Sequence, residues 1–139
     1  MIRATLLIAL CGVGPVMAQA GGATQITCTE KIGGWCESNG NCYENTKTSA
    51  DFVISMSRQP MIGETIAGTL TECREGKCGY SWDKKITNGL GNRFIVKGQG
   101  ETFIISSDTG FFTHSSTLSS TTLGRVSHTF GLCRLPERR

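Results

Sequence analysis

Along much of the chain apolar and polar residues alternate with a period of two, the mark of a strand that buries one face. Phe52, Ile54 and Met56 alternate with Val53, Ser55 and Ser57, while Phe94-Ile95-Val96 and Phe103-Ile104-Ile105 form short aromatic or β-branched runs. Apolar residues at the i, i+3, i+4 spacing of a helix are nearly absent, and the chain is rich in Gly, Thr and Ser, all poor helix formers. Turn residues punctuate the runs at Asn39-Gly40-Asn41, Glu75-Gly76, Asn88-Gly89, Gly98-Gln99-Gly100 and Asp108-Thr109-Gly110. The pattern predicts about eight strands, near 24–29, 51–58, 64–73, 78–86, 92–97, 101–107, 111–118 and 125–133. Connections this short make consecutive strands antiparallel neighbours. The expected fold is therefore an all-β antiparallel meander, closed as a small barrel or folded as a sandwich.

The last hairpin carries a sharper expectation. One face of 111–118 holds Phe112, His114, Ser116 and Leu118, and one face of 125–132 holds Val126, His128, Phe130 and Leu132. These are the apolar faces, so both are expected to point inward. A register centred on Thr121 sets Phe112 opposite Phe130, lays Phe111 over Gly131 and brings His114 opposite His128.

Residues 1–20 break the strand pattern. Arg3, the apolar run Ala4 to Gly14, Pro15 and the small-residue site Ala18-Gln19-Ala20 follow the grammar of a signal peptide, with cleavage expected before Gly21. The run is shorter than the roughly 20 apolar residues a membrane-spanning helix needs, so no membrane span is expected. Residues 21–139 then form a single β domain with a short basic tail carrying Arg134, Arg138 and Arg139. The formal charge of +3 falls by one when Arg3 leaves with the leader. A near-neutral body with three of its positives in a tail lacks the basic patch that nucleic acid demands.

Of the 7 cysteines, Cys11 falls in the leader, and Cys28, Cys36, Cys42, Cys73, Cys78 and Cys133 remain. An even number behind a signal peptide reads as a set of disulfides in an oxidising compartment. None of the spacings is the tight C-x2-C knuckle that seats zinc. Cys73 and Cys78 flank a four-residue hairpin loop and Cys36 and Cys42 enclose a turn, which leaves Cys28 to pair with Cys133 and tie the first strand to the last. Spacing alone leaves other connectivities open.

Catalytic signatures are sparse. Asp108-Thr109-Gly110 after Ile104-Ile105 resembles the aspartic-protease signature, but serines stand at the last positions before the aspartate and too little chain follows, so the tripeptide is read as a tight turn. There is no G-x-S-x-G elbow, and the Gly-rich turns lack the Lys-Ser/Thr and helix of a phosphate cradle; no cofactor is expected. Trp35, behind Gly33-Gly34, is expected either to anchor a partner or to cover the core from a loop.

The segment Phe94-Ile95-Val96-Lys97-Gly98 resembles the aromatic-x-x-Lys-Gly element of bacterial periplasmic inhibitors of c-type lysozyme, which are small secreted β-barrels. The resemblance implies that Lys97 enters a lysozyme cleft. The Ser-bearing element that precedes the lysine in that family has no counterpart here, where the chain reads Asn88-Gly89-Leu90-Gly91-Asn92-Arg93. The layout of the whole chain resembles that of small secreted, cysteine-containing β-proteins of proteobacteria without assigned function, a likeness that implies no activity. The leading expectation is a non-enzymatic secreted or periplasmic binding domain for a protein partner or a small apolar ligand, with Trp35, Lys97, His114 and His128 as binding residues. The alternatives are an inhibitor of a secreted hydrolase such as c-type lysozyme, and a small secreted enzyme using His114 and His128.

Overall fold

The long first strand decides the architecture. In the computed structural model, which describes residues 24–45, 49–119 and 124–136, the strands are β1 (Thr24–Glu37), β2 (Cys42–Glu44), β3 (Ala50–Met56), β4 (Thr65–Arg74), β5 (Lys77–Gly89), β6 (Arg93–Gly98), β7 (Glu101–Ser106), β8 (Phe111–Ser119) and β9 (Gly124–Arg134). Consecutive strands from β3 to β9 pair as antiparallel neighbours. β1 is long enough to pair with β3 along Thr24–Thr29 and with β9 along Thr27–Glu37, so the sheet closes on itself. The result is an eight-stranded antiparallel barrel, with β2 added as a short extra strand beside the second half of β1. Among the described residues there is no helix, and none therefore that is long and apolar enough to cross a membrane. The leader expected over 1–20, with Cys11 and the cleavage site, lies outside the described residues, as do Arg138 and Arg139.

An eight-stranded barrel has an interior that side chains can just fill. Ile26, Phe52, Ile54, Ile86, Val96, Phe103, Ile105 and Phe112 fill it here, with Cys28, Met56, Leu70 and Phe94 around them. Phe52 meets Phe103 edge-on, with ring centroids 5.0 Å apart, and Phe103 stacks on Phe112 at 5.8 Å. The alternation of β3 therefore delivers its even-numbered residues inward, as its pattern predicts.

All three disulfides follow the expected pairing: Cys28–Cys133, Cys36–Cys42 and Cys73–Cys78. The first locks the β1–β9 seam, where Cys28 and Cys133 sit opposite each other in the register. The other two clamp local turns at one end of the barrel. Three such bonds fit an oxidising compartment.

Two expectations fail in instructive ways. Gly33-Gly34 is strand rather than loop, and β1 runs on through it because a bulge between Glu30 and Ile32 changes which residues face inward. The final hairpin is shifted by one residue, which flips every side chain of one strand to the other face. His114 lies opposite Thr129, and His128 opposite Ser115. The inward residues of β9 are therefore Ser127, Thr129, Gly131 and Cys133, while Val126, Phe130 and Leu132 are exposed on the outer wall. Packing explains the inversion. Phe112, not Phe111, lies over Gly131, and a β-carbon at Gly131 would collide with the Phe112 ring and with the Thr29 carbonyl. Gly131 is the position where the wall can pass the ring, so it must face inward. The displaced apolar residues gain partial cover outside, where Phe111 stacks on Phe130 at 6.4 Å and Ile32 stands beside Phe130 in the register.

Candidate ligand site at the barrel mouth

The two ends of the barrel differ. At the far end lie Thr24 and the turns around Leu90-Gly91-Asn92 and Ser107 to Gly110. At the near end, called here the mouth, lie the disulfide-clamped β1–β2 and β4–β5 turns and the Gly98-Gln99-Gly100 turn. Near the mouth the inward-facing residues turn from apolar to polar: Glu30, Lys84, His114, Ser116 and Thr129 are all buried.

Each of these polar groups is placed by local geometry. The alternation of β1 that buries Ile26 and Cys28 also turns Glu30 inward, and the bulge after it brings Gly33 over it; the Glu30 carboxylate accepts the Ala50 N–H at 2.9 Å and faces Asn45 Nδ2 at 3.5 Å. Gly33 has no β-carbon because the Glu30 carboxylate fills that space. Lys84 lies opposite Gly68 in the register and runs against Gly98, whose missing β-carbon leaves room for its stem. Its Nζ, with only 1% of the side chain exposed, donates to Gly98 O at 2.9 Å and pairs with Glu101 at 2.7 Å. A buried ammonium is tolerated only when paired and hydrogen-bonded in this way.

His114 is different. It is 7% exposed, stacks on Phe103 with centroids 4.0 Å apart and abuts Phe52. Its Nε2 stands 3.5 Å from Glu101 Oε1, too far for a good hydrogen bond, and neither ring nitrogen has a hydrogen-bond partner among the described residues. The Glu101 carboxyl is held below its ordinary range, chiefly by the facing His114 and further by the Lys84 ammonium, with partial burial opposing both. Trp35 Nε1 is likewise buried without a partner.

Glu30, Trp35, Glu101, His114, Ser116 and Thr129 line an open cavity of about 640 Å³, together with Ser127 and the β4 residues Glu72 and Arg74. A second lobe of about 480 Å³, bounded by Trp82, Gln99 and Thr117, shares Glu101 and Ser116 with the first. Aromatic pairs stand on both sides of the opening. Trp35 stacks on Tyr43 at 5.4 Å, with the Arg125 guanidinium over its ring, and on β5 Tyr80 and Trp82 meet edge to face at 5.2 Å, both well exposed. Their strands, β1 and β5, are separated by β3 and β4 in the strand order.

No known protein family, curated protein or solved structure matches the chain.

The four residues singled out from the sequence are thus not one site. Trp35 and His114 meet at the mouth, Trp35 from a strand rather than a loop. His128 stands on the outer wall near Phe130, with ring centroids 6.2 Å apart, so the expected histidine pair does not form. Lys97 is exposed on the outer face of β6, beside Lys85 and Thr102 in the register. Asp108 stands in the β7–β8 turn at the far end, as its reading as a turn residue predicts, and accepts from Asn92 Nδ2 of the β5–β6 turn at 2.9 Å. Among the described residues no group of three or more His, Cys, Asp or Glu is placed to hold a metal ion. Glu30, Lys84 and Glu101 escape a sequence reading because each lies in a segment whose alternation says nothing about charge meeting charge across strands.

Proposed function

We propose that the protein is a secreted or periplasmic binding module that takes a small ligand bearing polar groups into the mouth of its barrel. The observation that carries this reading is His114, a buried imidazole in the cavity lining whose Nδ1 has no hydrogen-bond partner and whose Nε2 has only Glu101, at 3.5 Å. An unsatisfied buried polar group costs about 1–3 kcal/mol, a cost that a binding site recovers when its ligand supplies the missing bonds. The filled apolar interior below His114 leaves the mouth as the place where a ligand fits, and a cavity of this size is ordinary for small-molecule sites. The buried polar side chains set into a lining that is otherwise largely apolar favour a ligand carrying both hydrogen-bonding groups and apolar faces. Export rests on the leader-like residues 1–20 and on the three disulfides.

The test is a chemically mixed fragment library screened by NMR on isotope-labelled protein. Binding fragments are expected to shift the Trp35 indole N–H and the His114 ring resonances. Hits that move only outer-wall residues such as His128 or Lys97, or no hits at all, would remove the mouth as the site.

A further inference from the structure

Resting on that reading of the mouth, we infer that the ligand is a neutral saccharide, held by its hydroxyls on the buried polar groups and by its ring faces on the aromatic rims. Three features of the cavity converge on this class.

The first is the mixture of donors and acceptors. Trp35 Nε1 can only donate, the carboxylates of Glu30 and Glu101 only accept when ionised, and an imidazole, when neutral, donates at one nitrogen and accepts at the other. Ser116 and Ser127, hydrogen-bonded to each other across β8 and β9, do both. An ammonium ligand offers only donors and leaves the Trp35 N–H orphaned. A carboxylate or phosphate offers only acceptors and meets Glu30 and Glu101 head on. A hydroxyl both donates and accepts, so a ring carrying several of them satisfies every group in the cavity.

The second feature is charge. The cations nearest the cavity are already paired within the protein, Lys84 with Glu101 at 2.7 Å, Arg74 with Glu72 at 2.7 Å and Arg125 with Glu37 at 3.6 Å. Glu30 adds a buried carboxylate, which argues against an anionic ligand. The third feature is shape. Trp82 and Tyr80 point to the same side of β5 as buried Lys84 and Ile86, yet lie beyond the filled part of the barrel and stay exposed. Flat aromatic faces at the lip of a polar cavity suit the C–H faces of a sugar ring, whose hydroxyl edges then turn inward.

The chain has 2 tryptophans, Trp35 and Trp82, and both border the mouth, so its tryptophan emission is a direct reporter of occupancy. The disulfide-intact protein is titrated with short neutral oligosaccharides of glucose and of N-acetylglucosamine, and in parallel with tetramethylammonium chloride and with dodecanoate. One of the sugars is expected to shift the emission saturably, with an affinity that salt leaves unchanged. Trp82→Ala, a substitution at a half-exposed site that the fold tolerates, is expected to weaken that sugar about tenfold, or ~1.4 kcal/mol, and His114→Phe to weaken it at least as much. Saturation by the ammonium or the fatty acid with silence from every sugar would overturn the saccharide assignment while keeping the mouth as a site. Sugar binding undiminished in both variants would place the sugar elsewhere and overturn it too. Silence from all the probes, together with a fragment screen that leaves His114 unmoved, would remove the site itself.

Discussion

His114 sits where an aromatic hydrocarbon would be content: against Phe103 and Phe52, with no partner for Nδ1 and only Glu101, at a long 3.5 Å, facing Nε2. Natural sites that sacrifice stability for binding have this character. His114→Phe is therefore expected to stabilise the fold by about 1 kcal/mol, because it removes an unsatisfied buried polar group; equilibrium denaturation of the unliganded protein checks this, and a lower midpoint would show that the ring is held by bonds the fold needs. Glu101 makes the acid side of the stability profile. Its folded pKa lies below the ordinary value, held there by His114 and Lys84, so its contribution is present above that value and is lost as pH falls through the depressed one. Stability should thus drop on acidification below pH ~4.5, and Glu101→Gln should flatten that drop while lowering stability at neutral pH, since it leaves the buried Lys84 ammonium without its counter-charge. What remains in the variant's profile is the surface pair of Arg58 with Glu64. Glu64 is held at about 2, first by the Arg58 side chain and then by the Met61 N–H, but it is exposed and contributes little.

Among the elements, β9 shows how packing overrules pattern. Its apolar residues Val126, Phe130 and Leu132 form a clean alternating face, and that face points outward. A barrel wall that must pass the Phe112 ring needs the absence of a side chain more than it needs another apolar one, and Gly131 supplies it. Gly131→Ala is therefore expected to cost roughly 2–4 kcal/mol, the range of core overpacking with displaced backbone. Gly76→Ala is the fitting control. Gly76 has φ 75° at an exposed hairpin tip where an added β-carbon meets nothing within 4 Å, so its cost is the backbone's alone, about 1 kcal/mol. Thermal midpoints of the two variants, measured side by side, check the ranking; equal effects would place Gly131 in open space and restore the unshifted register. The β1 bulge works in the same spirit, since without it Glu30 and Trp35 could not both face the cavity.

Across the whole molecule the disulfides divide the labour. Cys28–Cys133 spans a separation of 105 residues and closes the barrel seam, whereas the other two span 6 and 5 and brace the rims of the mouth. In the chain-entropy model the long loop contributes about 4.7 kcal/mol and the short ones roughly 2 each. The paired Cys28→Ala, Cys133→Ala variant should lose the most stability. The paired Cys73→Ala, Cys78→Ala variant should keep the barrel but weaken ligand binding, because it frees the arm that carries Tyr80 and Trp82. Denaturant unfolding and a binding titration of each variant separate the two roles; a reversed order of stabilities would contradict this division.

The all-β class, the meander order, most strand positions and the two short disulfides were legible along the chain, because each rests on contacts between near neighbours: period-two alternation, turn residues at fixed offsets, and cysteines facing each other across a short loop; Cys28–Cys133, at a separation of 105 residues, followed only as the remaining pair. Closure as a barrel, the bulge at Glu30 and the one-residue shift of the final hairpin were not legible. They depend on which side chains meet from strands far apart in sequence, on Phe112 needing the gap at Gly131 and Gly33 yielding space to the Glu30 carboxylate. The candidate site was half visible for the same reason. Trp35 and His114 stand out by residue type, but Lys84 and Glu101 acquire meaning only when β5 and β7 bring them 2.7 Å apart at the end of a filled barrel, where the buried Lys84 ammonium holds the Glu101 carboxylate at the edge of the cavity.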